Sequence, residues 1–210
     1  MSEYEHVEHG FGPVWDEESQ LLILGSMPSP KSRAAGFYYM HPQNRFWRVL
    51  EALYPPCGSD IGGEADINRC TSHGIRNSGG LHDESIASKQ ALLHHYHIAL
   101  WDVLESCDIK GASDASIRNP VANDLAGIIL QSNIHAIYTT GTRAAQLFRR
   151  YCSHTLEASR ICVPMTALPS TSSANASMSL DRLIEAYQCI TAVTEPTSRR
   201  PGNASSEDCR

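Results

Sequence analysis

The sequence contains no run of eighteen apolar residues, so nothing in it predicts a membrane-spanning helix. Its first ten residues, MSEYEHVEHG, are acidic and polar and lack the apolar segment that a secretory signal requires. The seven cysteines are an odd number without paired spacing, which favours reduced thiols over a disulfide framework. We therefore expect an intracellular protein that makes no membrane contact.

The chain also lacks the spacings that predict a metal site or a serine hydrolase. Cysteines and histidines fall within one polar stretch, but no CxxC or HxxxH pair brings them together as zinc ligands; they are Cys57, Cys70, His73 and His82. The segment that begins at Gly25 reads GSMPS and has no GxSxG nucleophile elbow. We therefore expect no metal, no cofactor and no serine nucleophile.

An excess of basic residues is missing as well. The net charge is −6 and the sequence pI is about 5.9, which argues against a protein that coats nucleic acid through a basic surface. Four basic residues nevertheless lie close together in sequence, at Lys31, Arg33, Arg45 and Arg48. They provide either a local contact to a duplex or an ordinary solvated face of a loop and a helix.

Strand and helix patterns alternate along the chain. Short apolar runs predict strands at residues 21–24, 97–101, 134–139 and 161–167, and helical spacing predicts helices at residues 46–53, 86–95, 123–130, 142–151 and 178–193. This alternation predicts an α/β fold with a parallel sheet and helices on both faces.

The chain length fits one domain, which we expect to span residues 1–193. Residues 54–85 are polar and glycine-rich and predict an insertion, and residues 194–210 predict a disordered tail. We expect residues 1–20 to be irregular with Pro13, Val14 and Trp15 over an edge of the core, residues 108–121 to form a loop, and Asn123 to cap a helix.

Two loops with similar residues follow the first and fourth predicted strands. Residues 25–29 read GSMPS and residues 168–175 read LPSTSSAN, so each loop offers hydroxyl groups and backbone N–H groups at the carboxyl end of a strand. Such groups bind phosphates, and ligands of open α/β sheets bind at this end. We therefore expect the active site there.

Four motifs in order resemble the uracil-DNA glycosylase superfamily: residues 25–29 (GSMPS), 41–47 (HPQNRFW), 100–104 (LWDVL) and 168–172 (LPSTS). The hypoxanthine-DNA (deoxyinosine) glycosylase branch, family 6, is the most similar. The resemblance implies a three-layer α/β/α fold with a central four-stranded parallel sheet. It also implies a monomeric, monofunctional enzyme that flips deoxyinosine, and also deoxyuridine, out of damaged DNA and hydrolyses the N-glycosidic bond.

The sequence departs from the wider superfamily at two positions. Met27 stands where most relatives have Asp or Asn, and Leu168 stands where most have His or Asn. In the deoxyinosine branch, which shares both departures, the asparagine of the HPxN element is thought to be catalytic, and Asn44 matches it. Asn44 is therefore either the residue that positions water or an N-cap of the following helix. The missing pair also permits an alternative function, a catalytically inactive module of the same fold that binds lesions or nucleotides.

The resemblance assigns further residues to the base and the DNA backbone. Asp102 would accept the N1–H of hypoxanthine or the N3–H of uracil, or would instead cap a turn. Tyr39 or Tyr38 would stack on the flipped base, with Ser26 and Met27 beside it. The phosphate contacts would come from small polar residues and one lysine, namely Ser29, Lys31, Ser170 and Ser172.

Overall fold

The computed structural model describes residues 3–54, 85–111 and 113–194. The predicted insertion, apart from its end residues 54 and 85, and the predicted tail, apart from residue 194, lie outside the described residues.

The described chain contains seven strands and eight α-helices. The strands are β1 (Glu5–Glu8), β2 (Leu21–Gly25), β3 (Ile98–Asp102), β4 (Leu104–Ile109), β5 (Arg118–Ala122), β6 (Ala136–Thr140) and β7 (Met165–Leu168). The helices are α1 (Pro30–Ala35), α2 (Phe46–Leu53), α3 (Ile86–His95), α4 (Leu125–Leu130), α5 (Thr142–Tyr151), α6 (Ser153–Ala158), α7 (Leu180–Tyr187) and α8 (Thr191–Thr194), with 3₁₀ turns at Asp114–Ser116 and Gln188–Ile190.

The central sheet has four parallel strands in the order β3-β2-β6-β7. This confirms the predicted α/β fold and the predicted number of strands. The register places Gly25, the last residue of β2, opposite Asp102, the last residue of β3. The loops that leave these strands therefore begin side by side.

The residues of β2 alternate between two hydrophobic cores. Leu21 and Ile23 pack in one core with side chains of α2, α3 and α7, whereas Leu22 and Leu24 pack in the other with side chains of α4, α5 and α6. All four are fully buried, and each contributes about 1.5–3 kcal/mol relative to an exposed side chain. Burial on both faces explains the continuous apolar run and confirms the three-layer arrangement.

A second sheet covers one side of the molecule, and the sequence did not predict it. β1, β4 and β5 form an antiparallel sheet in the order β1-β4-β5. The prediction of a loop at residues 108–121 is therefore wrong in part, as is the irregular lead-in at residues 1–20. The sequence pattern did not predict β1, because this strand buries only Val7. It did not predict β5, because this strand contains Pro120 and no fully buried residue.

Smaller differences concern caps and helix ends. Val14 forms an antiparallel bridge with Leu100 on the edge strand β3, which confirms the predicted edge cover. The predicted capping by Asn123 is wrong, because its amide instead donates to the Asp102 carbonyl oxygen at 2.9 Å and α4 begins at Leu125. The last predicted helix is divided into α7, a 3₁₀ turn and α8.

Within the described residues, the helices are too short and too polar to cross a bilayer. The same part of the chain brings no three acidic, histidine or cysteine side chains together as metal ligands. The cysteines and histidines of residues 57–82 lie outside it.

Candidate active site

The carboxyl ends of β2 and β3 form the centre of the candidate site. A Cβ built on Gly25 would lie 2.1 Å from Asp102 Oδ1 and 3.2 Å from the hydroxyl oxygen of Tyr39. Only glycine permits so close an approach of a carboxylate to the backbone. The structure therefore brings together Asp102 and Tyr39, two of the residues that the sequence assigned to base binding.

Asp102 is held from two sides. Its side chain is 5% exposed, and Oδ2 lies 2.9 Å from His9 Nε2, while its carbonyl oxygen accepts from Asn123. Burying a carboxylate without a partner costs several kcal/mol, and the His9 contact avoids that cost. Asp102 is thus a fixed group, and the hydrogen bond of its carboxylate to a described residue is made by Oδ2 and not by Oδ1.

Tyr39 has an unusual backbone conformation. Its φ is 55°, in the left-handed region that costs an aromatic residue about 1 kcal/mol or more. The ring stacks on Phe46 with centroids 3.9 Å apart, and the hydroxyl lies 3.0 Å from Thr140 Oγ1. Burial, together with the nearby Asp102 charge, raises the pKa of Tyr39 well above its ordinary value, so its hydroxyl keeps its proton.

Ser26 leads to an acidic residue that the sequence did not identify. Its hydroxyl donates to Asp114 Oδ2 at 2.5 Å. Asp114 lies in the loop that joins β4 to β5. Burial raises the pKa of the Asp114 carboxyl; the Ser26 hydrogen bond lowers it, the Asp102 charge raises it and the Arg143 charge lowers it. A second carboxyl group therefore lies beside the first loop.

Asn44 is bound to the start of α2. Its Oδ1 accepts a hydrogen bond from the backbone N–H of Phe46 at 3.0 Å, and the side chain is half-buried. The amide nitrogen donates to no described residue, so its two protons remain for another acceptor. Asn44 thus stabilises the start of α2, although it precedes the N-cap position, which is Arg45 and makes no side-chain capping bond. This structural role leaves the donor half of the amide unused.

Arg45 joins the Asn44 loop to the loop that follows β7. Its guanidinium group donates to four backbone carbonyl oxygens, those of Thr171, Ser172, Asn175 and Met178. Its backbone N–H also donates to the Thr171 oxygen at 3.1 Å. Arg45 therefore connects the Asn44 segment to one of the two loops predicted to form the site, that at residues 168–175, and its charge is engaged by the protein itself.

The residues assigned to phosphate binding lie on both loops, and most hold their own loops in shape. Ser29 caps α1 by accepting from the Ser32 N–H at 3.2 Å, and Lys31 is exposed in the first turn of that helix. Ser170 Oγ accepts from the Ser172 N–H at 3.3 Å. A Cβ built on Gly141 would lie 3.0 Å from the Ser170 Cβ, so this loop packs against the start of α5.

Tyr38 and Met27 are core residues. The Tyr38 ring packs against Phe11 and Phe37, and its hydroxyl donates to the Gly12 carbonyl oxygen at 2.9 Å. Met27 is 8% exposed and packs in the core beneath α4, α5 and α6. The Asp102 charge acts on both tyrosine hydroxyls, but only the Tyr39 hydroxyl approaches Gly25 together with Asp102 Oδ1.

Two cavities lie in the described part of the chain, and the larger one is lined in part by His9 and Asn123, the two partners of Asp102. One, of about 410 Å³, is lined by Glu8, His9, Gly10, Phe11, Trp101, Glu105, Ser106 and Asn123, and the other, of about 220 Å³, lies beneath α4 and α6. Neither is lined by Asn44, Tyr39 or Ser170.

Sequence reasoning missed three residues of this region: His9, Arg45 as a clamp, and Asp114. His9 is separated from Asp102 by 93 positions, and no periodicity connects them. Asp114 lies in a stretch that the sequence predicts as a loop, where a single acidic residue is unremarkable. Only Arg45 could have been identified from the sequence. It is a charged residue directly before the two buried aromatic residues that begin α2, where a fully solvated side chain is not expected.

Known proteins with similar sequences and structures agree with this fold. A family model described as the uracil DNA glycosylase superfamily matches residues 13–191. Two curated relatives named hypoxanthine DNA glycosylase, from Methanosarcina acetivorans and Methanosarcina barkeri, are each 31% identical, over 58% and 57% of this chain. The matches span 63% and 61% of those relatives, which is less than two thirds of their length.

A solved structure shows the same architecture. An NMR structure from Methanosarcina acetivorans, which carries the provisional description of a uracil DNA glycosylase, superposes with a TM-score of 0.64 and 26% identity. The superposition covers 89% of this chain and 98% of that one. Because the family model covers most of the chain and the four-stranded fold agrees, this protein belongs to the uracil DNA glycosylase superfamily.

Proposed function

We propose that this protein is an intracellular, monomeric and monofunctional DNA glycosylase that removes hypoxanthine, and also uracil, from deaminated DNA. Superfamily membership and the two relatives named hypoxanthine DNA glycosylase support this activity. The observation that carries the proposal is the fixed Asp102 carboxylate beside Tyr39 at the ends of β2 and β3, with Oδ1 unused by the described residues.

The reaction breaks the bond between C1′ of deoxyribose and the base nitrogen, and the bonding electron pair leaves with the base. Water then bonds to C1′ and loses a proton, and the departing base takes up one proton, so the products are the neutral free base and an abasic sugar. A base inside a duplex is out of reach for such an attack, so the nucleotide must be flipped out of the stack.

Asn44 is the proposed catalyst that positions water. Its Oδ1 is held by the Phe46 N–H, which fixes the plane of the amide. The Nδ2 protons donate to the water oxygen and orient a lone pair toward C1′, where the sugar develops oxocarbenium character. Nearby DNA phosphates stabilise that positive charge.

Asp102 is the proposed reader of the base edge. As an acceptor it matches the N1–H of hypoxanthine and the N3–H of uracil, whereas adenine has a lone pair at N1. Two lone pairs facing each other in a dry pocket cost a few kcal/mol, so the normal base is rejected. Tyr39 is the proposed stacking surface. Ser26, Met27 and the more deeply packed Tyr38 are the other residues proposed to bind the base.

The backbone of damaged DNA is proposed to bind at Ser29, Lys31, Ser170 and Ser172. Three are hydroxyl residues at turns, and Lys31 is an exposed cation. Hydroxyl and N–H groups fix the position of a phosphate, while a lysine adds salt-dependent attraction.

An oligonucleotide assay tests the proposal. The protein is incubated with strands that contain deoxyinosine, deoxyuridine or deoxyxanthosine, single-stranded and paired, and alkali then cleaves any abasic site. We expect strand breaks at deoxyinosine with the wild type and none with Asn44→Ala. Tight lesion binding without breaks would instead favour a non-catalytic module, a function with which the capping role of Asn44 is compatible.

A further inference from the structure

His9 uses both nitrogens of its ring. The side chain is 5% exposed and lies just after β1, where its backbone N–H donates to the Glu105 carbonyl oxygen at 2.8 Å. Nδ1 lies 2.7 Å from the carbonyl oxygen of Phe11, and Nε2 lies 2.9 Å from Asp102 Oδ2. The orientation of the ring is therefore fixed by two partners of different kinds.

The two partners determine where the protons are. A carbonyl oxygen only accepts, so Nδ1 must carry a hydrogen. The close contact between Nε2 and Oδ2 then needs one shared proton, which is carried either by the imidazolium ring or by the carboxylic acid. In both arrangements the proton lies between Nε2 and Oδ2, so Oδ1 of Asp102 carries none.

Oδ1 is the oxygen that lies toward the ends of the strands. It is the atom nearest to a Cβ built on Gly25, and the Tyr39 hydroxyl oxygen lies 3.2 Å from the same point. Asn123 holds the backbone of Asp102 at the carbonyl oxygen, and His9 holds the side chain at Oδ2. Both the backbone and the side chain of Asp102 are therefore fixed. His9 thus leaves a single, immobile hydrogen-bond acceptor beside the proposed stacking ring.

We infer that His9 determines base selectivity as a positioning residue, by keeping the proton of the pair on the Oδ2 side so that Asp102 Oδ1 is an obligate acceptor. This inference rests on the proposed function and extends it to a residue that does not touch the base. With His9 in place, a base that presents an N–H at this edge is bound and a base that presents a lone pair is repelled.

A variant without the His9 ring nitrogens should no longer hold the shared proton on the Oδ2 side of Asp102. In His9→Phe the ring contacts to Phe11 and Tyr38, with centroids at 4.5 and 5.8 Å, are retained by an aromatic side chain. Asp102 then has no partner at Oδ2, so no described residue keeps a proton of the carboxyl group away from Oδ1. In His9→Gln the side-chain amide is again able to donate to Oδ2 and restores the acceptor at Oδ1.

The experiment compares two bases that differ at N1 and in the oxygen at C6, so the readout is the change in their rate ratio between variants. Single-turnover cleavage is measured for oligonucleotides with deoxyinosine, which has an N1–H, and with deoxynebularine, the unsubstituted purine, which has a lone pair there. We expect the deoxyinosine to deoxynebularine rate ratio to fall at least about tenfold in His9→Phe and to recover in His9→Gln. Equal slowing of both substrates in His9→Phe would mean a merely structural role and would overturn the inference.

A measurement on the wild type does not depend on whether the variants fold. Nitrogen-15 NMR of the His9 ring should show a protonated Nδ1, and a lone pair on Nδ1 would overturn the inference. The two failures are distinguishable: wild type that cleaves deoxyinosine while His9→Phe keeps the ratio rejects only the role of His9. Wild type that cleaves no substrate rejects the proposed function, and the role of His9 in selectivity with it.

Discussion

Asp102 Oδ1 occupies the space in which a side chain on Gly25 would begin, with only 2.1 Å between the oxygen and a built Cβ. The carboxylate has no room to retreat, because His9 holds Oδ2 and Asn123 holds the carbonyl oxygen. The candidate site thus depends on a glycine that contributes no side chain.

Gly25→Ala should therefore displace Asp102. We expect a loss of about 1–3 kcal/mol in the free energy of unfolding, typical of overpacking in a rigid core, and a fall in deoxyinosine cleavage of at least tenfold. Urea denaturation and single-turnover kinetics measure the two effects. Gly12→Ala is the matched control, because no atom lies within 4 Å of its built Cβ, and it should change neither quantity. A fully active Gly25→Ala protein would show that Asp102 does not read the base.

Asn44 variants should separate chemistry from helix capping. Asn44→Asp keeps an oxygen for the Phe46 N–H but has no amide protons, so we expect stability within about 0.5 kcal/mol of wild type and cleavage reduced about 100-fold or more. Asn44→Ala loses both roles and should also lose about 1 kcal/mol of stability. Gln43→Ala, at the exposed neighbouring position, serves as the control. Wild-type cleavage rates in both Asn44 variants would reduce this residue to a cap.

Arg45→Lys should loosen the loop at residues 170–178. A lysine ammonium group cannot reproduce the planar fork that reaches four carbonyl oxygens, so we expect a loss of about 2 kcal/mol and faster amide hydrogen exchange in that loop. Arg48→Lys, at an exposed position on α2, is the matched control and should leave both unchanged. Unaltered exchange in Arg45→Lys would mean that the loop holds its shape without the clamp.

Asp114 should make stability depend on pH. Burial raises the pKa of its carboxyl group in the folded protein, so folding favours the protonated form. The stability that this preference contributes is present at pH values below the ordinary carboxyl pKa of about 4 and is lost as the pH rises through the folded pKa. Asp114→Asn lacks this loss, so its stability relative to wild type should increase over that window and then level off.

The Ser26 hydroxyl provides a check on the same prediction. Its hydrogen bond to Asp114 lowers the pKa of the carboxyl group in the folded protein. Ser26→Ala should therefore extend the pH range over which this stability is lost to higher pH. Urea denaturation at a series of pH values measures both variants. A difference between Asp114→Asn and wild type that is constant with pH would contradict the assignment.

The central sheet was predictable because burial on both faces leaves a distinct pattern in sequence. The helices at residues 46–53, 86–95 and 142–151 have the predicted ends. Regular apolar spacing accounts for the first and the last, whereas the helix at 86–95 has little such periodicity. The antiparallel sheet was not predictable, because β5 has mostly exposed side chains and β4 has register shifts that interrupt its alternation.

Some residues of the candidate site were likewise predictable from the sequence and others were not. Asp102 and Tyr39 are close to each other, as expected for residues that follow neighbouring parallel strands. Local sequence did not distinguish Tyr39 from Tyr38, because the difference lies in a positive φ at Tyr39. His9 and Asp114 reach the site through the antiparallel sheet, so they were hidden along with it.

The pairing of β1 with β4 also has a practical consequence for work with the purified protein. Four residues of β1 carry the chain into position directly before His9, and their partners are Ser106 through Ile109. A truncation or a bulky affinity tag at the amino end would disturb the register of an edge strand while the parallel sheet stayed intact. Because that strand carries the buried Val7 and leads directly to His9, such a preparation should be less stable and should show an altered ratio of substrate rates, so tags belong at the other end of the chain.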